Sequence, residues 1–134
     1  MTTQLFYRRV MESLGDRGDH ELTRRATAAV LRALRDRLTP EEADQVMAQL
    51  PREIKEIWRD GDTPGRRPLK MHRDEFYERV RRETGVASGR DARWLTLAVF
   101  RALQEQLSPG EAGDVLAQLP ADLKETWAEA QPQT

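Results

Sequence analysis

One segment of this chain occurs twice. Residues 38–58, LTPEEADQVMAQLPREIKEIW, return as residues 107–127, LSPGEAGDVLAQLPADLKETW, with 12 of 21 aligned positions identical at an offset of 69. The match continues upstream, where TAAVLRAL aligns with TLAVFRAL at the same offset and FYRRV echoes FYERV at an offset of 70. A lone unit of about 60 residues would bury too little surface to be more than marginally stable. We therefore expect the two copies to bury a shared face against each other.

Both copies contain the same helix start, a capping box in which a hydroxyl N-cap, a proline and a glutamate follow in order. These structural residues are Thr39, Pro40 and Glu42 in the first copy and Ser108, Pro109 and Glu111 in the second. Apolar residues then recur at helical spacing, and the prolines at 51 and 120 end these helices. The predicted helices span residues 3–14, 20–37, 40–50, 51–59, 73–84, 89–106, 109–119 and 120–129.

No strand pattern interrupts these helices, so the sequence predicts an all-α fold. We expect about eight helices, arranged as two tandem four-helix repeats packed into one pseudo-symmetric compact domain. The first repeat is residues 1–59, a basic linker rich in Gly and Pro is residues 60–72, and the second repeat is residues 73–134. Trp58 and Trp127 hold equivalent positions at the end of an apolar stripe, which favours a structural role in the core over a role as partner anchors.

Several classes of chemistry lack the residues that they need. The chain has no cysteine, which excludes disulfides, thiolate metal sites and cysteine nucleophiles. Its two histidines, His20 and His72, lie outside any metal-binding spacing, and the acidic pair Glu41 and Glu42 is explained by a helix N-terminus. We therefore expect no enzyme activity, no metal and no cofactor. No segment predicts a secretory signal or a membrane helix, so a cytoplasmic location is expected.

The segments FYRRV, ATAAVLRALRDRLTPEEADQVMAQLP and IKEIW together resemble a bacterial family known as domain of unknown function 2267. The resemblance covers nearly the whole chain and includes both copies of the motif. It implies a helical fold and a bacterial cytoplasmic setting, but no catalytic residues. The second copy departs from the first at Gly110, which replaces a glutamate, and at Thr126, which replaces an isoleucine.

Charge is distributed unevenly along the chain. Residues 66–93 carry nine basic and five acidic side chains, whereas residues 94–134 carry two and six. Trp94 aligns with Arg25 of the first copy, so it cannot serve a shared core and packs either between the repeats or against a partner. Arginine and tryptophan are enriched at binding hot spots. The candidate partner contacts, near the cleft between repeats, are Trp94, Phe100, Arg66, Arg67, Lys70, Arg73 and Arg82.

These observations predict a non-enzymatic helical module that binds another protein in an adaptor or regulatory role. One alternative is a protein that associates weakly with nucleic acid through the basic region 66–93, which would make its affinity strongly salt-dependent. Another is a regulatory domain that binds a small ligand between the repeats. The net charge of −1 also permits self-association into a homo-oligomer.

Overall fold

A computed structural model of the protein describes residues 1–132, and these residues form eight α-helices and no strand. The all-α prediction is confirmed. The helices are α1 (Thr3–Leu14), α2 (His20–Arg37), α3 (Pro40–Ala48), α4 (Arg52–Arg59), α5 (Arg73–Thr84), α6 (Gly89–Gln106), α7 (Pro109–Ala117) and α8 (Ala121–Glu129). A short 3₁₀ turn, Gly15–Arg17, follows α1.

The predicted ends of α3 and α7 are wrong by two residues. Both helices end at an alanine, Ala48 and Ala117, and the next helix begins only after a proline. Pro51 lies in extended conformation as the N-cap of α4, with φ −61° and ψ 157°. Because a residue that precedes proline disfavours the helical region, Leu50 cannot continue α3.

The two halves of the chain share one hydrophobic core. The 18-residue helices α2 and α6 lie at its centre and pack against each other. The first helix of each half packs on the long helix of the other half, α1 against α6 and α5 against α2. Phe6 of α1 and Phe76 of α5 are both 0% exposed, and both belong to the one core that the two halves share.

The shorter helices cover the ends of this core. Helix α4 packs on α2, α8 packs on α6, and α3 meets α7 where the two halves adjoin. Trp58 is buried on α4, and its indole N–H donates a hydrogen bond of 3.0 Å to the carbonyl oxygen of Ala43. Trp127 is buried on α8 with its ring centroid 5.1 Å from that of Phe100.

The segment between the halves, residues 60–72, contains no helix and is bound to the end of α2. The Leu69 N–H donates to the carbonyl oxygen of Asp36 at 2.8 Å, and Met71 is buried in the core. Among the described residues, no helix combines the length and apolar character that a membrane-spanning segment requires.

Candidate functional site

Arg66, which the sequence placed among the partner contacts, supports the end of a helix instead. Its guanidinium donates hydrogen bonds of 2.7 Å to the carbonyl oxygens of Arg35 and Leu38 and forms an ion pair of 2.7 Å with Asp62. The last carbonyls of a helix have no partner within the helix and carry the negative end of its dipole. Since the side chain of Arg66 is only 11% exposed, it stabilises α2 and offers little surface to a partner.

Much of the predicted basic surface is neutralised by acidic side chains of the same chain. Arg73 lies 3.2 Å from Glu125, and Arg82 lies 4.0 Å from Glu78. Arg67 and Lys70 are exposed and form no ion pair with any described residue. The basic residues of 66–93 that do form ion pairs are Arg66, Arg73, Arg79, Arg81, Arg82 and Arg93.

The two predicted aromatic contacts lie in different environments. Phe100 is 0% exposed, with its ring edge-on to Phe76 at a centroid distance of 5.7 Å, so it is inaccessible to a partner. Its position on the apolar stripe of α6 is the reason. Trp94 is half-buried, and the guanidinium carbon of Arg17 lies 4.2 Å from its ring centroid. Because Arg17 follows α1, this cation–π contact joins the two halves.

The starts of α3 and α7 reproduce half of the predicted capping box. The Thr39 hydroxyl accepts a hydrogen bond of 3.2 Å from the Glu42 N–H, and the Ser108 hydroxyl accepts an equivalent bond of 3.2 Å from the Glu111 N–H. The other half of the prediction is wrong, because the glutamate carboxylates do not accept from the backbone N–H of their own N-caps.

Two glutamines from the opposite helices take that role. The Thr39 N–H donates to Oε1 of Gln118 at 2.9 Å, and the Ser108 N–H donates to Oε1 of Gln49 at 2.8 Å. Each glutamine also donates its amide to the N-cap hydroxyl, at 3.2 Å from Gln118 and 3.4 Å from Gln49. These reciprocal bonds hold α3 against α7 and free both glutamate side chains to point elsewhere.

The freed side chains meet at the boundary between the halves. One carboxylate oxygen from each of Glu42, Glu111 and Asp114 lies within 4.8 Å of the other two, and we call these three residues the carboxylate cluster. Glu42 is 7% exposed, Glu111 is 8% exposed, and Asp114 lies open to solvent. Oε2 of both glutamates is buried without a hydrogen-bond partner among the described residues.

Burial and the neighbouring acids change the protonation of Glu42. Burial raises the pKa of the Glu42 carboxyl to about 8, and the hydrogen bond and charge of Glu111 and the charge of Asp114 act in the same direction. Two ionised carboxylates cannot hydrogen-bond to each other, since neither has a donor, but a proton on one supplies it. The cluster therefore holds either a proton or another positive charge.

A second candidate lies between α1 and α2. A cleft with a volume of about 300 Å³, here called the basic cleft, is lined by Gln4, Tyr7, Arg8, Met11, His20, Thr23 and Arg24. Arg8 and Arg24 are exposed and form no ion pair within the described chain. Burial raises the pKa of the Tyr7 hydroxyl above its ordinary value; the charge of Arg24 lowers this pKa and the charge of Glu53 raises it. The hydroxyl therefore remains a neutral hydrogen-bond donor at pH 7.

Neither candidate was found from the sequence. The signal for the carboxylate cluster was available, because Glu42 and Glu111 are the same position of the repeat and would meet wherever α3 packs on α7. The predicted role of both glutamates in helix capping accounts for them without any contact between their side chains. The basic cleft has no equivalent signal, since the positions of Arg8 and Arg24 become informative only when α1 lies beside α2.

Comparison with protein-family models matches residues 3–126 to the family described as "Uncharacterized conserved protein (DUF2267)". The chain belongs to that family, as the resemblance of its repeated motifs indicated. No curated protein matches the chain.

Proposed function

We propose that this member of the DUF2267 family is a non-enzymatic adaptor or regulatory module that binds an acidic segment of another protein in the basic cleft. The observation that carries the proposal is the pair Arg8 and Arg24, two exposed cations that line a partly apolar cleft and have no acidic partner in the described chain. Elsewhere on this protein, most arginines of the predicted basic region are already paired.

The cleft combines the contacts that such a segment would need. Tyr7 and Met11 offer apolar surface, while Gln4 and the Tyr7 hydroxyl offer hydrogen bonds. Arginine forms paired hydrogen bonds with a carboxylate, which makes it well suited to recognise aspartate or glutamate. At about 300 Å³ the cleft has the size of the smaller ligand pockets of proteins and would hold only a few side chains.

The test is selection from a peptide library in which one acidic residue is fixed and the flanking positions vary. We expect the immobilised protein to enrich peptides that carry an apolar residue near the acid, with binding that weakens as salt is added. The double variant Arg8→Glu and Arg24→Glu should lose this enrichment. Arg52→Glu is the matched control, because Arg52 is also exposed and without an ion pair in the described chain.

Circular dichroism establishes that both variants remain helical before the selection is compared. Equal enrichment by the double variant and the wild type would show that the basic cleft is not the binding surface. Equal enrichment from a second library, in which a basic residue is fixed in place of the acidic one, would contradict the proposed partner class.

The nucleic-acid alternative has less support. Of the nine lysine and arginine side chains in residues 66–93, three form no ion pair with a described residue: Arg67, Lys70 and Arg90. Three phosphate contacts would give a salt dependence with a slope of about −2.7, which is weak for a nucleic-acid-binding protein. Binding of duplex DNA at low salt that Arg67→Glu abolishes would favour this alternative instead.

We also propose that the chain arose by tandem duplication and acts in the bacterial cytoplasm. The duplication is supported by the sequence offset of 69 and by helices α2 and α3, whose bounds shift by that offset onto α6 and α7. The reciprocal bonds of Gln49 and Gln118 add support, because equivalent residues make equivalent contacts in the two halves. The family resemblance and the lack of cysteine support a location in the bacterial cytoplasm.

A further inference from the structure

The carboxylate cluster brings three acidic side chains together, and without a bound cation a proton on Glu42 offsets part of their charge. Glu42, Glu111 and Asp114 form no ion pair with a basic side chain in residues 1–132. Two of the three are more than nine-tenths buried, and each of these two has a buried oxygen without a hydrogen-bond partner among the described residues. Buried carboxylates in proteins are ordinarily paired with a cation or coordinate a metal.

We propose that Glu42, Glu111 and Asp114, brought together where α3 meets α7, form a binding site for a hard divalent cation, with Ca²⁺ as the best match. The site lies apart from the basic cleft and would operate whether or not that cleft binds a partner.

The donor atoms and their spacing agree with this class of ion. Three carboxylates supply only oxygen, which Ca²⁺, Mg²⁺ and Mn²⁺ prefer over softer donors. Oxygen atoms on opposite sides of a Ca²⁺ ion are about 4.6–5.2 Å apart, and those around Mg²⁺ about 4.0–4.2 Å. The cluster oxygens lie within 4.8 Å of one another, so an ion could reach all three with little movement of the protein.

The surroundings provide both support and access. The bonds of Gln49 and Gln118 to the opposite N-caps fix the starts of α3 and α7, which places the two glutamates in position before any ion arrives. Asp114 is exposed and opens the cluster to solvent, so water can complete the six to eight ligands that Ca²⁺ takes. Bound there, the ion would bridge the two halves of the chain.

Calorimetric titration of chelator-treated protein with CaCl₂, MgCl₂ or MnCl₂ at pH 7.5 tests the proposal, together with the Tm at each concentration. We expect saturable Ca²⁺ binding with a Kd of about 10⁻⁴ to 10⁻³ M, as in weak protein sites, and a Tm that rises with Ca²⁺. Loss of groups that merely orient ligands costs 10- to 100-fold in affinity, so Glu111→Gln and Asp114→Asn should each cost about tenfold or more.

Glu41→Gln is the matched control, because Glu41 is the exposed neighbour of Glu42 on the same turn and should leave Ca²⁺ affinity unchanged. Asp114→Asn changes a solvent-exposed side chain, so it keeps the test valid even if Glu111→Gln fails to fold. Absence of saturable binding up to about 10 mM Ca²⁺ would overturn the proposal. Equal affinity in the wild type and Asp114→Asn, or a stability that depends on pH but is unaffected by Ca²⁺, would also overturn it.

Discussion

Glu42 shows how one side chain can satisfy a local pattern and still act elsewhere. Its backbone N–H donates a hydrogen bond of 3.2 Å to the Thr39 hydroxyl, which is the helix-cap contact that the sequence predicts. Gln118 accepts the hydrogen bond from the Thr39 N–H that the Glu42 carboxyl group would otherwise accept. The carboxyl group instead lies near that of Glu111, across the boundary between the halves. The residue therefore contributes to the start of α3 through its backbone and to the carboxylate cluster through its side chain.

The raised pKa of Glu42 gives a pH dependence of stability in metal-free buffer. Between its ordinary pKa of 4.5 and about 8, the folded protein holds a proton that the unfolded chain has released. The free energy of unfolding should therefore fall as pH rises through this window and level off above it. Urea unfolding followed by circular dichroism at pH 5, 6, 7 and 8, with chelator present, measures the slope.

Replacement of Glu42 by glutamine removes the titrating group while keeping the side chain's size. The variant should show a flatter pH profile than the wild type, whereas Glu41→Gln should retain the wild-type slope. A wild-type stability that stays constant or increases between pH 5 and 8 would contradict the assigned protonation.

At the scale of single elements, the end of α2 depends on residues outside the helix. Arg66 binds the carbonyl oxygens of Arg35 and Leu38. Arg35, itself 3% exposed, donates from its guanidinium to the carbonyl oxygens of Trp58 and Asp60, each at 2.7 Å. This network attaches both α4 and the segment 60–72 to the last turn of α2.

Arg66→Ala should lower the free energy of unfolding by about 2–3 kcal/mol, because hydrogen bonds to charged groups contribute more than neutral ones and the carbonyls would lose their partner. Its exposed neighbour provides the comparison. Arg67→Ala should change stability by no more than about 0.5 kcal/mol, as is usual for surface positions. Urea denaturation of both variants measures the difference, and equal losses would show that Arg66 does not support the helix end.

Element boundaries were predicted well where the information is local. The N-caps Thr39 and Ser108 and the long helices α2 and α6 lie where the sequence placed them. Apart from the ends of α3 and α7, the predictions that failed depend on tertiary contacts. The capping of Thr39 by Gln118, 79 residues away, and the burial of Arg66 against α2 follow from how the helices pack, which no local pattern specifies.

Taken as a whole, the molecule packs the first helix of each half against both long helices. Because α1 packs on α6 and α5 packs on α2, a cut between the halves would expose the apolar faces that these helices bury against each other. A peptide of residues 1–59 should therefore be largely unfolded by circular dichroism and lack a cooperative thermal transition. Mixing it with residues 73–134 should restore helix content, since both complementary faces are then present.

The matched control for this mixture is the first fragment carrying Phe6→Ala, which should complement poorly because it lacks a buried ring of the shared core. Cooperative melting of residues 1–59 alone, with native helix content, would contradict the dependence of one half on the other.

The reciprocal hydrogen bonds of Gln49 and Gln118 constrain which substitutions the chain can accept during evolution. Each glutamine completes a helix start in the half to which it does not belong. A substitution at either glutamine therefore affects a helix start in the other half, and a chain shortened to one half would lose a hydrogen bond that its remaining helix start needs. Each half therefore limits the substitutions that the other half can tolerate.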